Sequence, residues 1–189
     1  MKLRLFFSAS LLAVAATSFG HVFVFTGTFS GSQESPPNGS LGTGSTTVTM
    51  DMDAITMRVQ ANFSGLTGNT TAAHIHFGNG PGTNGGVASM LPSFTGFPLG
   101  VTSGSMDHTF DMSLASSYNP AFITANGGTT SGALNAFLSR LQAGHGYFNI
   151  HSSAFPGGEI RANLVPEPAT MIALAVGAAG VLARRRRSA

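Results

Sequence analysis

The fold is decided by a short apolar strand that runs directly into a glycine-rich loop. This stretch reads Ala72-Ala73-His74-Ile75-His76-Phe77-Gly78-Asn79-Gly80-Pro81-Gly82-Thr83-Asn84-Gly85-Gly86. Because side chains alternate faces along a strand, His74 and His76 project from one side and the apolar side chains from the other. The two imidazoles are either half of a metal site or two exposed polar residues opposite a buried stripe. An isolated pair of this kind favours the second interpretation.

A second block, further along the chain, makes the metal-site interpretation of the two histidines more favourable. It reads Gly144-His145-Gly146-Tyr147-Phe148-Asn149-Ile150-His151 and is followed by Phe155-Pro156-Gly157-Gly158-Glu159-Ile160-Arg161. Together the two blocks resemble the CHRD family, a domain named after its occurrence in chordin. In that family an A-H-I-H-x-G segment precedes a G-x-x-Y-x-N-I-H strand and a G-G-E-I-R strand. The resemblance covers Val22 to Leu164, and the family spans animal growth-factor antagonists and bacterial surface proteins.

The distribution of charge excludes nucleic acid as a partner. The 189-residue chain has a formal net charge of +2, but its basic residues are concentrated at the two ends. Between His21 and Leu164 there are three arginines and six acids, so this part of the chain is mildly acidic. The absence of cysteine excludes disulfides and thiolate metal sites. Core packing, sheet hydrogen bonds or a metal must therefore stabilise the domain.

The N-terminus is typical of a secretory signal peptide, which we assign to residues 1–20. A positive start is followed by an apolar segment from Leu5 to Ala16 and by small residues before the expected cleavage near Gly20. Cleavage after Ala15 or Ala16 is the alternative. A cut after Gly20 would leave His21 as the N-terminus, and its amine and imidazole could chelate copper.

The C-terminus, residues 165–189, is typical of a sorting signal. Pro166, Glu167 and Pro168 precede a short apolar stretch of transmembrane character, and the chain then carries the basic cluster Arg184, Arg185, Arg186 and Arg187. This order resembles the PEP-CTERM signal of Gram-negative bacteria. The resemblance implies passage through the secretion translocon, transient anchoring in the inner membrane, processing by an exosortase-type protease, and delivery to the cell surface or extracellular matrix. A plain single-pass anchor is the alternative interpretation.

Residues 21–164 show mainly the two-residue period of strands. The runs predict an all-β, antiparallel sandwich or barrel of Greek-key type, with Asp51 to Ala54 as a hairpin turn and Ile55 at the start of the next strand. Two short helices interrupt the pattern. Asn119-Pro120 begins the first, and Leu134 to Leu141, preceded by Thr130 or Ser131 and ended by Gly144, forms the second.

Three histidines are predicted to converge. If the apolar faces of both histidine strands point into the core, His74, His76 and His151 point outward together and form a site for copper, or second for zinc. The pattern is similar to that of copper/zinc superoxide dismutase, a β-barrel whose copper is held by an H-x-H strand and a distant strand histidine. This chain departs from that family in having no cysteine and no clear zinc-binding loop. His145 is the candidate fourth ligand.

Glu159 and Arg161 lie two residues apart on one strand face. They contact a ligand or partner, or they form an ion pair or network that fixes the strand, and we favour the structural interpretation. No pair of carboxylates and no nucleophile with a nearby base is visible, so the sequence favours a non-catalytic role. Two functions remain: an exported module that binds an extracellular protein or polysaccharide, and a metal-binding domain with redox chemistry.

Overall fold

The computed structural model describes residues 21–80 and 82–167, and within them the chain forms one antiparallel sheet. Its nine strands are β1 (Val22–Ser30), β2 (Thr43–Asp51), β3 (Thr56–Ser64), β4 (Thr70–Gly78), β5 (Gly85–Val87), β6 (Gly104–Asp111), β7 (Gly146–Ser152), β8 (Ile160–Asn163) and β9 (Val165–Pro166). They lie in the order β5-β4-β7-β8-β1-β2-β3-β6, with β9 paired to β1. The predicted all-β antiparallel architecture is confirmed, as a single sheet curved into a half-barrel.

The hairpin between β2 and β3 forms where its turn residues predict it. One carboxylate oxygen of Asp51 accepts hydrogen bonds from the backbone N–H groups of Asp53 and Ala54, at 3.0 and 2.9 Å. This arrangement is the side-chain turn that aspartate favours. Ile55, predicted to begin the next strand, instead lies in the turn with a φ of 54°, so the regular strand starts at Thr56.

The apolar face of the sheet encloses an aromatic core. Phe148 of β7 packs edge-on against Phe29 of β1 at 5.2 Å between ring centroids, and against Phe94 from the β5–β6 connection at 5.4 Å. The largest buried apolar side chains are Phe25, Phe29, Met50, Met57, Ile75, Met112, Tyr118, Phe137, Leu141, Phe148 and Ile150. The strand methionines Met50, Met57 and Met106 are thus core residues.

Two short helices close one end of the core. Helix α1 (Pro120–Ala125) begins where the Asn119 side chain accepts a hydrogen bond from the Ala121 N–H. Helix α2 (Thr130–Gln142) is capped by Thr129, one residue before the predicted cap, and buries Phe137 and three other apolar side chains. The predicted stop at Gly144 is confirmed, because that residue adopts a φ of 70°.

The start of the predicted sorting signal belongs to the sheet. Pro166 pairs with Phe25 of β1, and the Glu167 N–H donates to the Val24 carbonyl at 2.9 Å. The fold therefore continues past the predicted domain boundary at Leu164. Among residues 21–80 and 82–167, no helix is long and apolar enough to cross a membrane. The predicted signal peptide, Pro168, the apolar stretch and the arginine cluster lie outside the described residues.

Candidate metal centre

The register of two neighbouring strands brings three histidines to one face of the sheet. In the pairing of β4 with β7, His74 is opposite Asn149, His76 is opposite Tyr147, and His151 is opposite Ala72. The ring centroids are 5.6 Å apart for His74 and His76, 5.4 Å for His74 and His151, and 5.9 Å for His76 and His151. One ring nitrogen from each lies within 4.8 Å of the others. The predicted convergence of these three residues is thus present.

The three rings are not an exposed patch. The sequence predicts that they point outward, away from the core, but His74 and His76 are only 6 and 8 % exposed, and His151 is half-buried. Two loops and the first residue of β5 supply backbone carbonyls to the rings at this point of the outer face. The alternation along a strand predicts on which face of the sheet a side chain lies, but not whether other segments cover that face. The histidines are therefore on the predicted face and yet buried.

Backbone carbonyls orient all three rings. The Pro92 carbonyl accepts from His74 Nε2 at 2.6 Å, the Gly85 carbonyl from His76 Nδ1 at 3.0 Å, and the Pro156 carbonyl from His151 Nδ1 at 2.9 Å. A carbonyl can only accept, so each of these nitrogens carries the proton and the opposite nitrogen carries a lone pair. This is the outer-shell contact typical of metal-bound histidine.

The remaining nitrogens are buried acceptors without a protein partner. His74 Nδ1, His76 Nε2 and His151 Nε2 form no hydrogen bond with the described part of the chain. Buried polar atoms nearly always form a hydrogen bond, so three buried nitrogens without a partner in one cluster require an explanation. A cation bound between the rings would satisfy all three.

Burial also keeps the rings in the state that binds metal. It lowers the pKa of His74 and His151, and it lowers the pKa of His76 to about 4, although the carbonyl hydrogen bond to each ring opposes the shift. Desolvation acts in this direction because it disfavours the charged imidazolium. All three rings are therefore neutral near pH 7.

Arg161 supports the site from the neighbouring strand β8. Its guanidinium lies 3.5 Å from the centroid of the Tyr147 ring, and His76 stacks on the same ring at 5.0 Å between centroids. It also donates to the Thr83 carbonyl at 2.8 Å and to Asn84 Oδ1 at 3.0 Å. These bonds hold the glycine-rich loop that presents its carbonyl to His76.

Glu159 does not pair with Arg161. Its carboxylate accepts from Ser40 Oγ at 2.7 Å and from the backbone N–H groups of Thr67 and Gly68. Burial would raise the pKa of Glu159, but its hydrogen bonds, including one from Ser152, lower it overall. Glu159 and Arg161 therefore form no ion pair with each other in the described structure, and each has its own set of hydrogen-bond partners. Glu159 bonds to the segment before β4, whereas Arg161 bonds to the glycine-rich loop after β4.

His145, the candidate fourth ligand, lies elsewhere. Its N–H donates to the Arg140 carbonyl at the end of α2, and its carbonyl accepts from Gly78. It precedes β7, whereas His151 lies near the other end of that strand, which places the two about 20 Å apart at the usual rise per residue. Among the described residues the group that could hold a metal ion consists of His74, His76 and His151.

Sequence reasoning missed Glu34, which lies in the loop after β1. It is 8 % exposed, and its Oε2 accepts a hydrogen bond from the Asn149 side chain at 3.4 Å. Glu34 Oε1 and Asn149 Oδ1 have no partner among the described residues, and a Cβ on Gly158 would lie within 2.8 Å of both. The only sequence signal is that Glu34 is the single charged residue between Val22 and Met50.

Replacing Glu34 with glutamine is expected to stabilise the metal-free protein more at pH 8 than at pH 5. Burial raises the pKa of Glu34 from 4.5 to about 7, although the charge of Arg161 and two hydrogen bonds oppose the shift. Between these values the folded state binds more protons than the unfolded state, so wild-type stability falls as pH rises. The gain should reach roughly 3 kcal/mol at most, as measured by urea denaturation.

Glu159→Gln is the matched control for this prediction. Because the pKa of Glu159 is lowered, its carboxylate stabilises the fold above the unfolded value of 4.5 and loses this effect as pH falls below it. That variant should be destabilised at both pH 5 and pH 8. A Glu34→Gln effect that is the same at both pH values would contradict a protonated Glu34 in the folded state.

Two family models match the chain. The CHRD domain matches residues 25–164, and the PEP-CTERM protein-sorting motif matches residues 164–187. No curated protein and no solved structure matches. The CHRD match includes all three histidines of the cluster.

Proposed function

This chain belongs to the CHRD domain family, and from that premise we propose that it is a bacterial surface protein whose domain binds one transition-metal ion through His74, His76 and His151. The observation that carries the proposal is the cluster of three carbonyl-oriented rings: one ring nitrogen of each lies within 4.8 Å of the others, and each ring has one buried nitrogen without a partner among the described residues. Leaving such acceptors unsatisfied costs about 1–3 kcal/mol each, and metal coordination would remove that penalty.

Export is supported by the C-terminal motif. The PEP-CTERM motif implies processing by an exosortase during export. We propose that residues 1–20 are removed as a signal peptide, that the tail is removed by the exosortase-type protease, and that the domain remains at the cell surface or in the extracellular matrix. Its role there is structural or binding, toward an extracellular protein or polysaccharide.

Copper is the first choice of ion and zinc the second. An all-nitrogen donor set generally prefers copper over zinc among divalent first-row metals. Imidazole is a borderline ligand that suits both ions, so affinity rather than ligand type distinguishes them. Three protein ligands leave the coordination sphere incomplete, and a water or small molecule would complete it.

Elemental analysis of protein purified from its native host tests both parts of the proposal. We expect at least one equivalent of copper or zinc per chain, and mass spectrometry should find a species that starts near His21 and ends near Pro166. A full-length, membrane-retained product would exclude the sorting proposal. Protein that contains no metal and takes up neither ion from solution would exclude the metal site.

Metal affinity should persist at lower pH than an ordinary histidine site allows. If the histidines had the ordinary imidazole pKa near 6.5, metal binding would weaken as the pH falls through that value, since only neutral rings coordinate a metal. Burial lowers the pKa of His76 to about 4, so that ring stays neutral well below pH 6.5. We expect the copper affinity to change little between pH 8 and 6.5 and to fall only at lower pH, as measured by competition with a chelator. A loss centred at pH 6.5 would contradict the buried, neutral cluster.

A further inference from the structure

A second group of potential ligands lies at the first described residue, away from the histidine cluster. The backbone N–H of His21 donates to Asp53 Oδ2 at 3.2 Å, and His21 Nδ1 donates to Asp53 Oδ1 at 3.0 Å. Asp53 is 32 positions away in the sequence, in the turn between β2 and β3. The backbone nitrogen and Nδ1 of His21 are therefore both within hydrogen-bond distance of the Asp53 carboxylate.

The sheet holds this arrangement in place. The His21 carbonyl accepts a hydrogen bond from the Met52 N–H at 3.0 Å, and Val22 pairs with Asp51 in the register of β1 and β2. Asp51 accepts the N–H of Asp53, which orients the turn. The hydrogen bond from His21 lowers the pKa of Asp53, so its carboxylate is charged at neutral pH. Both side chains are exposed, at 72 and 60 %, and are accessible to an ion.

Removal of the signal peptide would change the chemistry of this group. While Gly20 is attached, the His21 nitrogen is an amide without an available lone pair. A cut after Gly20 turns it into a primary amine, which can coordinate together with Nδ1 of the same residue and a carboxylate oxygen of Asp53. A set of two nitrogens and one oxygen matches the N,O donors that copper(II) prefers in tetragonal geometry.

We propose that signal-peptide removal creates a second, surface copper(II) site formed by the His21 amine, His21 Nδ1 and the Asp53 carboxylate. The site is independent of the histidine cluster and shares no ligand with it. It exists only in the exported protein, because the amine is absent from the precursor.

The composition of the chain permits a selective test. Lys2 is the only lysine, so the exported chain contains a single primary amine, that of its N-terminal residue. The full gene is expressed in an exporting host with His74→Ala and His76→Ala, which disables the first site, and the N-terminus is read by mass spectrometry. Copper(II) is then titrated before and after acetylation of the amine with an N-hydroxysuccinimide ester.

We expect the exported protein to begin at His21 and to bind one copper(II), with an affinity that falls at least about tenfold on acetylation, since one donor nitrogen is lost. Asp53→Asn should also weaken binding, while acetylation should leave the thermal unfolding midpoint unchanged. A different N-terminus, or copper binding unaffected by either acetylation or Asp53→Asn, would overturn the proposal. Such a failure would not affect the proposal for the histidine cluster, because His74 and His76 are replaced in the protein used for this test.

Discussion

Replacing His76 with alanine is expected to lower copper affinity by at least about 100-fold, because it removes one of three ligands from a site that has no protein replacement. The free Nε2 of His76 is buried and has no partner, and the candidate ligands among the described residues are His74, His76 and His151. Isothermal titration of the metal-free domain with copper(II) measures the change. The terminal group at His21 is acetylated first, so that only the cluster is observed.

Two other histidines serve as matched controls. His108 lies on β6, and its ring contacts Phe110 rather than the cluster, while His145 lies at the far end of β7 from His151. His108→Ala and His145→Ala should leave copper affinity within about twofold of the wild type. If either control lowered affinity as much as His76→Ala, the three-histidine assignment would be wrong. Circular dichroism of each variant confirms that the sheet is retained.

Replacing Arg161 with alanine is expected to lower the free energy of unfolding by about 3–5 kcal/mol, the range found when one partner of a buried charged network is removed. Arg161 is 1 % exposed, stacks on Tyr147, and donates to three groups, of which two belong to the glycine-rich loop. Its loss also leaves Glu34 without the positive charge that opposes the rise in its pKa.

Arg58→Ala is the control for this prediction. Arg58 donates to both carboxylate oxygens of Asp107, but both side chains are about half exposed. Exposed ion pairs contribute little to stability, so this variant should be close to the wild type in chemical denaturation. Equal losses for the two variants would show that Arg161 is not part of a buried network. Because Arg161 holds the loop that orients His76, copper affinity should fall with Arg161→Ala and not with Arg58→Ala.

Much of the fold could be predicted because its signals are local. The hairpin at Asp51 depends on a side chain bonding to the backbone two and three residues later, and the cap at Asn119 depends on a bond to Ala121. Such contacts are contained in a few consecutive residues. The left-handed conformation of Ile55 could not be predicted, because a β-branched residue disfavours a positive φ and only the surrounding turn imposes it.

The site could be predicted only in part. The contact between Glu34 and Asn149 could not be predicted from local sequence, since it depends on both being buried next to Arg161 and Gly158. Whether Glu159 and Arg161 would form an ion pair or belong to a wider network could not be decided from their spacing, because Glu159 precedes β8 and the two side chains contact different neighbours. Glu159 bonds to the segment before β4, and Arg161 bonds to the loop after it.

The sequence by itself determined that His74 and His76 share a face, because the two-residue period of a strand holds whatever the strand pairs with. It also determined the all-β class, the start of α1 at Asn119, the stop of α2 at Gly144 and the resemblance to the CHRD family. Only the tertiary structure decided that His151 joins them, that loop carbonyls orient all three rings, and that the cluster is buried. Strand register and loop cover depend on contacts between residues far apart in the chain, and a local pattern does not encode them.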